Sequence, residues 1–518
     1  MSAPGKILFL LHAHLPFVRH PEYKRFFEEN WLFEAISETY LPLVQAMRRA
    51  LEKGLPGTLN LSVSPPLIEM LSDEHLIGKF SVHLRKQLEL AEREAARFTE
   101  GPQATLAKFY LERQKSLIDT WENRCKKNIL KEFLSLEKAG KLNLLTCVGT
   151  HPFLPAYQSD PASIRDQLDI TVKCFQRAFG RKPLGVWIPE CGYFPHLDSY
   201  LAEFGIKYFF LETHGVLLAS PPPKYGVFTP LKTTAGCYCM GREQASSMEV
   251  WSRRTGYPGH PEYREFFRDI AHERERDYLG DYFFAGENPI DTGFKYYRIT
   301  GEENKQFYRP WNAMQLAHDH ARIFVLNREA TISDLLPKME GNKAALLCPY
   351  DAELFGHWWF EGPYFLEALL ERAAASSVLE FAGADSVMLN SADPEVHAPA
   401  FSSWGEGGFG GVWINSETEQ CYPESYRIRA MIEMLSAKKI KLPRLRRIIK
   451  QMKRELMLFQ ASDWAFMIHN HSAEEYARRR LSDHYQNACA LFKLANSKSK
   501  DLSLLERLEK SNNIFSWM

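Results

Sequence analysis

No cysteine pair in this chain stands at metal or redox spacing. Nine cysteines, an odd number, are scattered over 518 residues, and the nearest approach is Cys237-Tyr238-Cys239. That pattern argues against both structural zinc and a disulfide framework, so reduced thiols are expected. Long apolar runs are lacking as well. Ile7-Leu8-Phe9-Leu10-Leu11 is far too short to span a bilayer, ends in histidines and has no small-residue cleavage site of the secretory kind. A soluble, cytoplasmic protein without a membrane partner is expected. Charge of one sign is also missing, since Lys plus Arg and Asp plus Glu both number 64. Apart from the locally basic stretch from Lys438 to Lys453, nothing favours nucleic acid, and a neutral polymer suits the balance better. There is no internal repeat and no low-complexity tract.

What remains is an ordinary globular composition, 45% apolar, in a chain longer than one hydrophobic core usually serves. Lys6 to Leu11, Leu142 to Cys147, Leu184 to Glu190, Lys207 to Glu212 and Ala344 to Tyr350 read as short strands. Their runs are continuously apolar rather than alternating, which implies cover on both faces. Helical stretches at Ser37 to Lys53, Ser163 to Phe179 and Ser199 to Phe204 alternate with them, as around a parallel β/α barrel. Asp73 to Gly140, rich in Leu, Glu, Lys, Arg and Gln, reads as a helical insertion forming a lobe beside the barrel.

Beyond about Pro399, a Gly/Trp-rich stretch, Ser402 to Val412, precedes helices at Pro423 to Ser436, Pro443 to Phe459 and Ala473 to Ser497. Ser472 and Glu475 have the spacing of a capping box. The expected division is a catalytic barrel over 1–400, with its insertion at about 73–140 and an active-site loop region at about 213–260. A C-terminal all-helical domain follows over 401–518, its glycine loop near the active face.

Two segments carry chemistry. Trp187-Ile188-Pro189-Glu190-Cys191-Gly192-Tyr193 and Tyr350-Asp351-Ala352-Glu353-Leu354-Phe355-Gly356-His357-Trp358 each place a carboxylate at the end of an apolar strand, among aromatics. Two carboxyls can flank a glycosidic bond, one attacking or polarising the anomeric carbon and the other protonating the departing oxygen, while aromatic faces hold the sugar rings. In a parallel barrel such groups belong at the C-terminal ends of strands, where Glu190 and Asp351 both fall. His12 and His14, at i and i+2 after the first strand, project to one side, and His151 in Gly149-Thr150-His151-Pro152-Phe153 follows another strand. Each histidine suits a sugar hydroxyl or a metal, and equally a hydrogen-bonded structural role.

His12-Ala13-His14-Leu15-Pro16-Phe17, the Gly149 to Phe153 segment, Trp187 to Tyr193, Tyr350 to Trp358 and Trp404-Gly405-Glu406 together resemble glycoside hydrolase family 57, most of all its α-1,4-glucan branching enzymes. The motifs fall in the family's order and span nearly the whole chain. The resemblance implies a distorted seven-stranded β/α barrel and a retaining mechanism, with Glu190 matching the nucleophile and Asp351 the general acid/base. It also implies an α-glucan substrate and no cofactor or metal.

By similarity, Trp31, Trp251, Trp404 and Trp413 match aromatic positions lining the glucan cleft, and Asp463 with Trp464 matches a contribution from the helical domain. Each tryptophan can equally serve core packing. The family's branching enzymes carry a mobile loop with a tyrosine over the site. Here the stretch from Glu212 to Trp251 is short, and Tyr225 is the counterpart considered. A shortened lid would favour water over an acceptor sugar, so an α-amylase-like hydrolase or a 4-α-glucanotransferase is the alternative. Zinc on the paired histidines and a non-catalytic glucan-binding relative are the remaining readings. A monomer or weak homo-oligomer is expected.

Overall fold

The computed structural model describes residues 3–252, 255–301, 305–390, 395–438 and 442–518, so part of the basic stretch after Lys438 lies outside it. Among the described residues the strands are β1 (Gly5–Ala13), β2 (Leu59–Val63), β3 (Leu142–Cys147), β4 (Gly185–Trp187), β5 (Tyr208–Leu211), β6 (Leu231–Thr233) and β7 (Tyr238–Gly241). They continue with β8 (Phe284–Ala285), β9 (Asn288–Pro289), β10 (Ala344–Asp351), β11 (Leu379–Phe381) and β12 (Val396–His397).

Seven of them run parallel in the order β10-β1-β2-β3-β4-β5-β7. A parallel bridge from Arg242 to Leu347, with the Glu243 N–H donating to the Leu347 carbonyl at 2.8 Å, returns β7 to β10. The ring is the distorted seven-stranded barrel that the family resemblance implies. β11 pairs with the first half of β1, while antiparallel β6 and then β12 extend outward from β7.

The continuous apolar runs follow from two-sided burial. Leu8 and Leu10 share an interior cluster with Leu145, Cys147, Trp187, Phe210, Met240, Ala345 and Leu347. Ile7, Phe9 and Leu11 belong instead to the cluster between barrel and helices, where Phe9 meets Phe324 of the helix Pro310–Leu335 at 6.0 Å. Side chains alternate along a strand, so the inward row of β1 ends at His12 and that of β10 at Asp351. The two are register partners.

The insertion consists of the helices Glu74–Arg97, Gly101–Asp119 and Ile129–Lys138, the first capped by Asp73, whose side chain accepts the Leu76 N–H at 3.0 Å. A second, mostly irregular segment packs on this lobe: Gln87 donates to the Thr292 carbonyl at 2.9 Å and the Tyr296 hydroxyl to Glu94 at 2.8 Å. At the other end of the chain, the helices Cys421–Ala437, Pro443–Phe459, Ser462–His469, Glu474–Asn496 and Ser503–Ser511 pack together. They dock on the barrel through Arg429 on Asp166 at 2.9 Å and Gln167 on Gln460 at 2.9 Å. Among the described residues no helix is long and apolar enough to cross a membrane.

Three local expectations differ from what is found. β2 and β7 are barrel strands of five and four residues that periodicity did not separate from their surroundings. The region 213–260 is not loop throughout; it contains β6, β7 and the helix Gln244–Trp251. The Ser472–Glu475 capping box does not form. Ala473, left-handed at φ 51, precedes the helix without any side-chain cap, and Glu474 pairs with His471 and Arg478 instead.

Candidate active site

Around the ring, β4 and β10 lie on opposite sides, so the carboxyls following them face each other across the C-terminal mouth. Glu190 sits in a tight turn after β4 with φ 60 and ψ 19, a left-handed conformation that costs a non-glycine residue about 1–3 kcal/mol and persists only when its surroundings enforce it. They do so here. The Trp404 N–H donates to the Glu190 carbonyl at 2.8 Å, and Tyr193 and Ser402 exchange backbone hydrogen bonds at 2.8 and 3.2 Å. His151, at φ 64, is a second residue held in this way. Just before it, Gly149 at φ 46 leaves no room for a side chain, since a Cβ would lie 1.8 Å from the Gln167 amide oxygen.

Both oxygens of Glu190 receive donors. The Ser462 hydroxyl donates to Oε1 at 2.6 Å and the Trp404 indole N–H to Oε2 at 2.7 Å. Behind Ser462 runs a chain of contacts: Ser462 Oγ to His151 Nδ1 at 2.8 Å, His151 Nε2 to His12 Nε2 at 3.0 Å, and His12 Nδ1 to Ser62 Oγ at 3.4 Å. One assignment of protons satisfies every link: Ser62 donates to His12, His12 to His151, His151 to Ser462, and Ser462 to Glu190. It requires both imidazoles to be neutral. Burial, reinforced by the charge at His14, holds both His12 and His151 well below the usual histidine range.

His14 is the opposite case. Burial works against its charge, but Asp463, accepting from Nε2 at 3.1 and 3.2 Å, prevails and raises it. Its Nδ1 then donates to Ser64 at 2.8 Å, and its ring stacks on His151 with centroids 3.8 Å apart.

Asp351 differs from Glu190. It is deeply surrounded by protein yet partly open to solvent, and among the described residues no hydrogen bond reaches its carboxyl. Burial, opposed by His14 and Arg242, pushes it up to about 6. Glu190 is pushed up to about 7 by burial, against its two hydrogen bonds and with the charges at Asp463 and Asp351 adding to the rise. A third carboxyl, Glu353, accepts from Tyr40 and is raised by burial to about 8. A nucleophile needs to stay ionised and a general acid protonated, and burial, which lifts both carboxyls, does not produce that separation. The asymmetry lies in the donors.

Of the residues singled out in the sequence, His12, His14, His151, Glu190, Trp404 and Asp463 meet in one network. Trp413 and Trp464 are each only 1% exposed: Trp413 stacks on Phe153 at 4.9 Å, and the Trp464 indole donates to the Leu458 carbonyl at 2.8 Å. Neither exposes a face to solvent. Half-buried Trp31 meets Tyr476 edge-on at 5.7 Å, and Trp251 ends its helix 67% exposed. Tyr225 is placed elsewhere. Its hydroxyl lies 3.3 Å from Glu340, which precedes the N-terminal end of β10, at the far side of the barrel from Asp351.

Sequence reasoning missed Ser462, Ser62, Ser64, Glu212 and Arg242. Strand parity offers a signal for the last two, which continue the inward rows of Phe210 and Met240 and pair with each other at 2.5 Å. The histidines also group with Cys147 and with Asp463 closely enough to hold a metal ion, namely His12, Cys147, His151 and His14, His151, Asp463.

The sequence profile of glycosyl hydrolase family 57 matches residues 8–340, and that of the 1,4-alpha-glucan branching enzyme C-terminal region matches residues 426–518. A 1,4-alpha-glucan branching enzyme of Thermococcus kodakarensis is 31% identical over 99% of this chain and 77% of its own length. Among solved structures, the alpha-amylase AmyC of Thermotoga maritima is 37% identical with a TM-score of 0.92, covering 100% of this chain and 98% of that one. A GH57-type branching enzyme of Pyrococcus horikoshii is 30% identical with a TM-score of 0.88, covering 99% and 95%. With the profile spanning well over half the sequence and the motif residues gathered at one barrel mouth, the chain belongs to glycosyl hydrolase family 57.

Proposed function

We propose that this protein is a retaining 1,4-α-glucan branching enzyme in which Glu190 is the nucleophile and Asp351 the general acid/base. The observation carrying the roles is the asymmetry of donors. A carboxylate fixed by a hydroxyl on one oxygen and an indole N–H on the other is held as an oriented anion, able to attack the anomeric carbon. A carboxyl without donors and partly open to solvent is free to turn toward the departing glucan oxygen and hand it a proton, and this freedom carries the assignment, since burial lifts Asp351 less than Glu190, to about 6 against about 7.

When the leaving chain departs, Asp351 becomes a carboxylate and takes a proton from the incoming hydroxyl. That hydroxyl belongs to the 6-position of another glucan chain in branching and to water in hydrolysis. Asp463, which keeps free lone pairs beside His14, fits sugar-hydroxyl binding at the same mouth, while His12 and His14, with both ring nitrogens engaged, fit a positioning role behind it. On this reading the polymer is glycogen-like or starch-like, the chemistry needs no metal, and the protein works in the cytoplasm.

Support for branching comes from the C-terminal profile match and the branching-enzyme relatives. The likeness to an alpha-amylase favours a second reading, an α-1,4-glucan hydrolase on the same scaffold. Incubation with amylose, followed by debranching and chain-length analysis beside a reducing-end assay, separates them. Short chains released by isoamylase, with few reducing ends beforehand, mean branching; reducing ends without new branches mean hydrolysis.

A further inference from the structure

Trp413 and Trp464 are buried, yet an exposed tryptophan follows Asp351 in the loop beyond β10. Trp358 is 53% exposed, and its N–H donates to the Glu353 carbonyl at 3.2 Å, which places it one turn beyond the acid/base on the same strand end. One indole face is covered by Phe266, with centroids 4.2 Å apart and planes 15° from parallel. Phe266 is itself anchored, because the Lys295 ammonium lies 4.5 Å from its ring centroid and donates to its carbonyl.

The loop carrying Trp358 is built rigidly. His357 contacts Glu38 at 3.3 Å, and Glu38 receives Arg264 at 3.1 Å. Gly356, at φ 129, lies so close to the helix below that a Cβ would sit 1.9 Å from the Glu38 carbonyl oxygen. The helix at that point is a π-helical turn, Ala35–Tyr40, which also aims the Tyr40 hydroxyl at Glu353. Such turns recur at functional sites.

We infer that the outer face of Trp358 is a binding platform for the acceptor glucan chain, an assignment that rests on the retaining mechanism proposed above. Once the glycosyl group is on Glu190, the attacking hydroxyl must lie at Asp351, which accepts its proton. The remainder of the acceptor therefore lies on the β10 side of the mouth, opposite the Ser462–Trp404 side. An aromatic pair already stacked and fixed presents a flat apolar face to a sugar ring without ordering cost, the arrangement that favours a chain over water.

The test uses the full-length protein, with Trp358→Ala and Trp358→Tyr compared against wild type on amylose with added maltooligosaccharide acceptors of defined length. Transfer to acceptor and release to water are counted in the same samples. Loss of one stacking surface predicts a rise in acceptor KM of about tenfold and a matching fall in the transfer-to-hydrolysis ratio for Trp358→Ala, with Trp358→Tyr within about twofold of wild type. A purely structural role would instead lower the melting temperature and scale both products together. An unchanged acceptor KM and ratio in Trp358→Ala would overturn the platform. A wild type that forms no α-1,6 linkages defeats the branching assignment separately, since the acceptor dependence of transfer is still read on whichever linkage forms.

Discussion

The two sides of the barrel mouth are built differently. On the β4 side, Glu190 is held in a strained turn, given a donor on each oxygen and backed by a relay of neutral imidazoles, with the C-terminal helices supplying Ser462. On the β10 side, Asp351 ends a regular strand, receives no hydrogen bond among the described residues, and is followed by an exposed aromatic. The difference teaches that a shared rise from burial does not assign roles to a carboxyl pair. Orientation and donors do, and on the proposed roles the nucleophile's side is the one that carries the backbone strain and the hydrogen bonds.

The sharpest way to break the comparison is to remove each carboxyl. Glu190→Gln and Asp351→Asn should each lower turnover on amylose by roughly a thousandfold or more, with circular dichroism and glucan binding retained. They should differ with small nucleophiles. On an aryl maltooligoside, whose leaving group departs without a proton, azide should restore product formation in Asp351→Ala with retained configuration, and in Glu190→Ala only with inversion, because each truncation opens a different face of the sugar. The same product from both would dissolve the distinction.

A smaller effect is expected from the donors. Ser462→Ala or Trp404→Phe removes one hydrogen bond from the Glu190 anion and should lower kcat roughly tenfold. Because the lost bond stabilises the charged form, the Glu190 carboxyl rises further, and the acidic limb of the pH–rate profile moves to higher pH. An unmoved acidic limb would place the ionising base elsewhere. In the wild type the pair should titrate with apparent values between about 6 and about 7 and show a bell-shaped profile peaking near there.

The smallest effect concerns stability. Glu190, Asp351 and Glu353 are all raised above the ordinary carboxyl range, to about 7, 6 and 8, so their ionisation is easier in the unfolded chain. Their contribution to stability is complete below pH 4 and is lost as pH rises through 6 to 8. The melting temperature should fall over that window. Glu353→Gln, which keeps an acceptor for Tyr40, should flatten that fall, each unit of lost shift being worth about 1.4 kcal/mol of unfolding free energy. An equal fall in both proteins would remove Glu353 from the account.

Much of this was legible in the sequence because the chemistry sits at strand ends. Apolar runs marked five strands, and the structure places His12, His151, Glu190 and Asp351 at or just beyond the C-terminal ends of four of them. The long helices Pro161–Phe179 and Pro443–Phe459 were found nearly residue for residue, since Pro at the start and a strong period leave little ambiguity. β2 and β7 were not found, because Leu59-Asn60-Leu61-Ser62-Val63 alternates with polar residues and Tyr238-Cys239-Met240-Gly241 has no run of Leu, Ile, Val or Phe to mark it. Trp413 and Trp464 were ambiguous because an indole fills a core as readily as it stacks on sugar. Ser462 was invisible, since its role depends on a helix 272 positions away from Glu190 docking across the mouth.

The measurement that bears most directly on the central claim is trapping of the covalent intermediate. A 5-fluoroglucosyl fluoride, whose leaving group forms the intermediate quickly while the ring fluorine slows its breakdown, is incubated with the protein, and the labelled peptide is sequenced by mass spectrometry. The account predicts a single label on Glu190, absent from Glu190→Gln and chased off by added maltooligosaccharide. A label on Asp351 or Glu353, or persistence of labelling in Glu190→Gln, would contradict it.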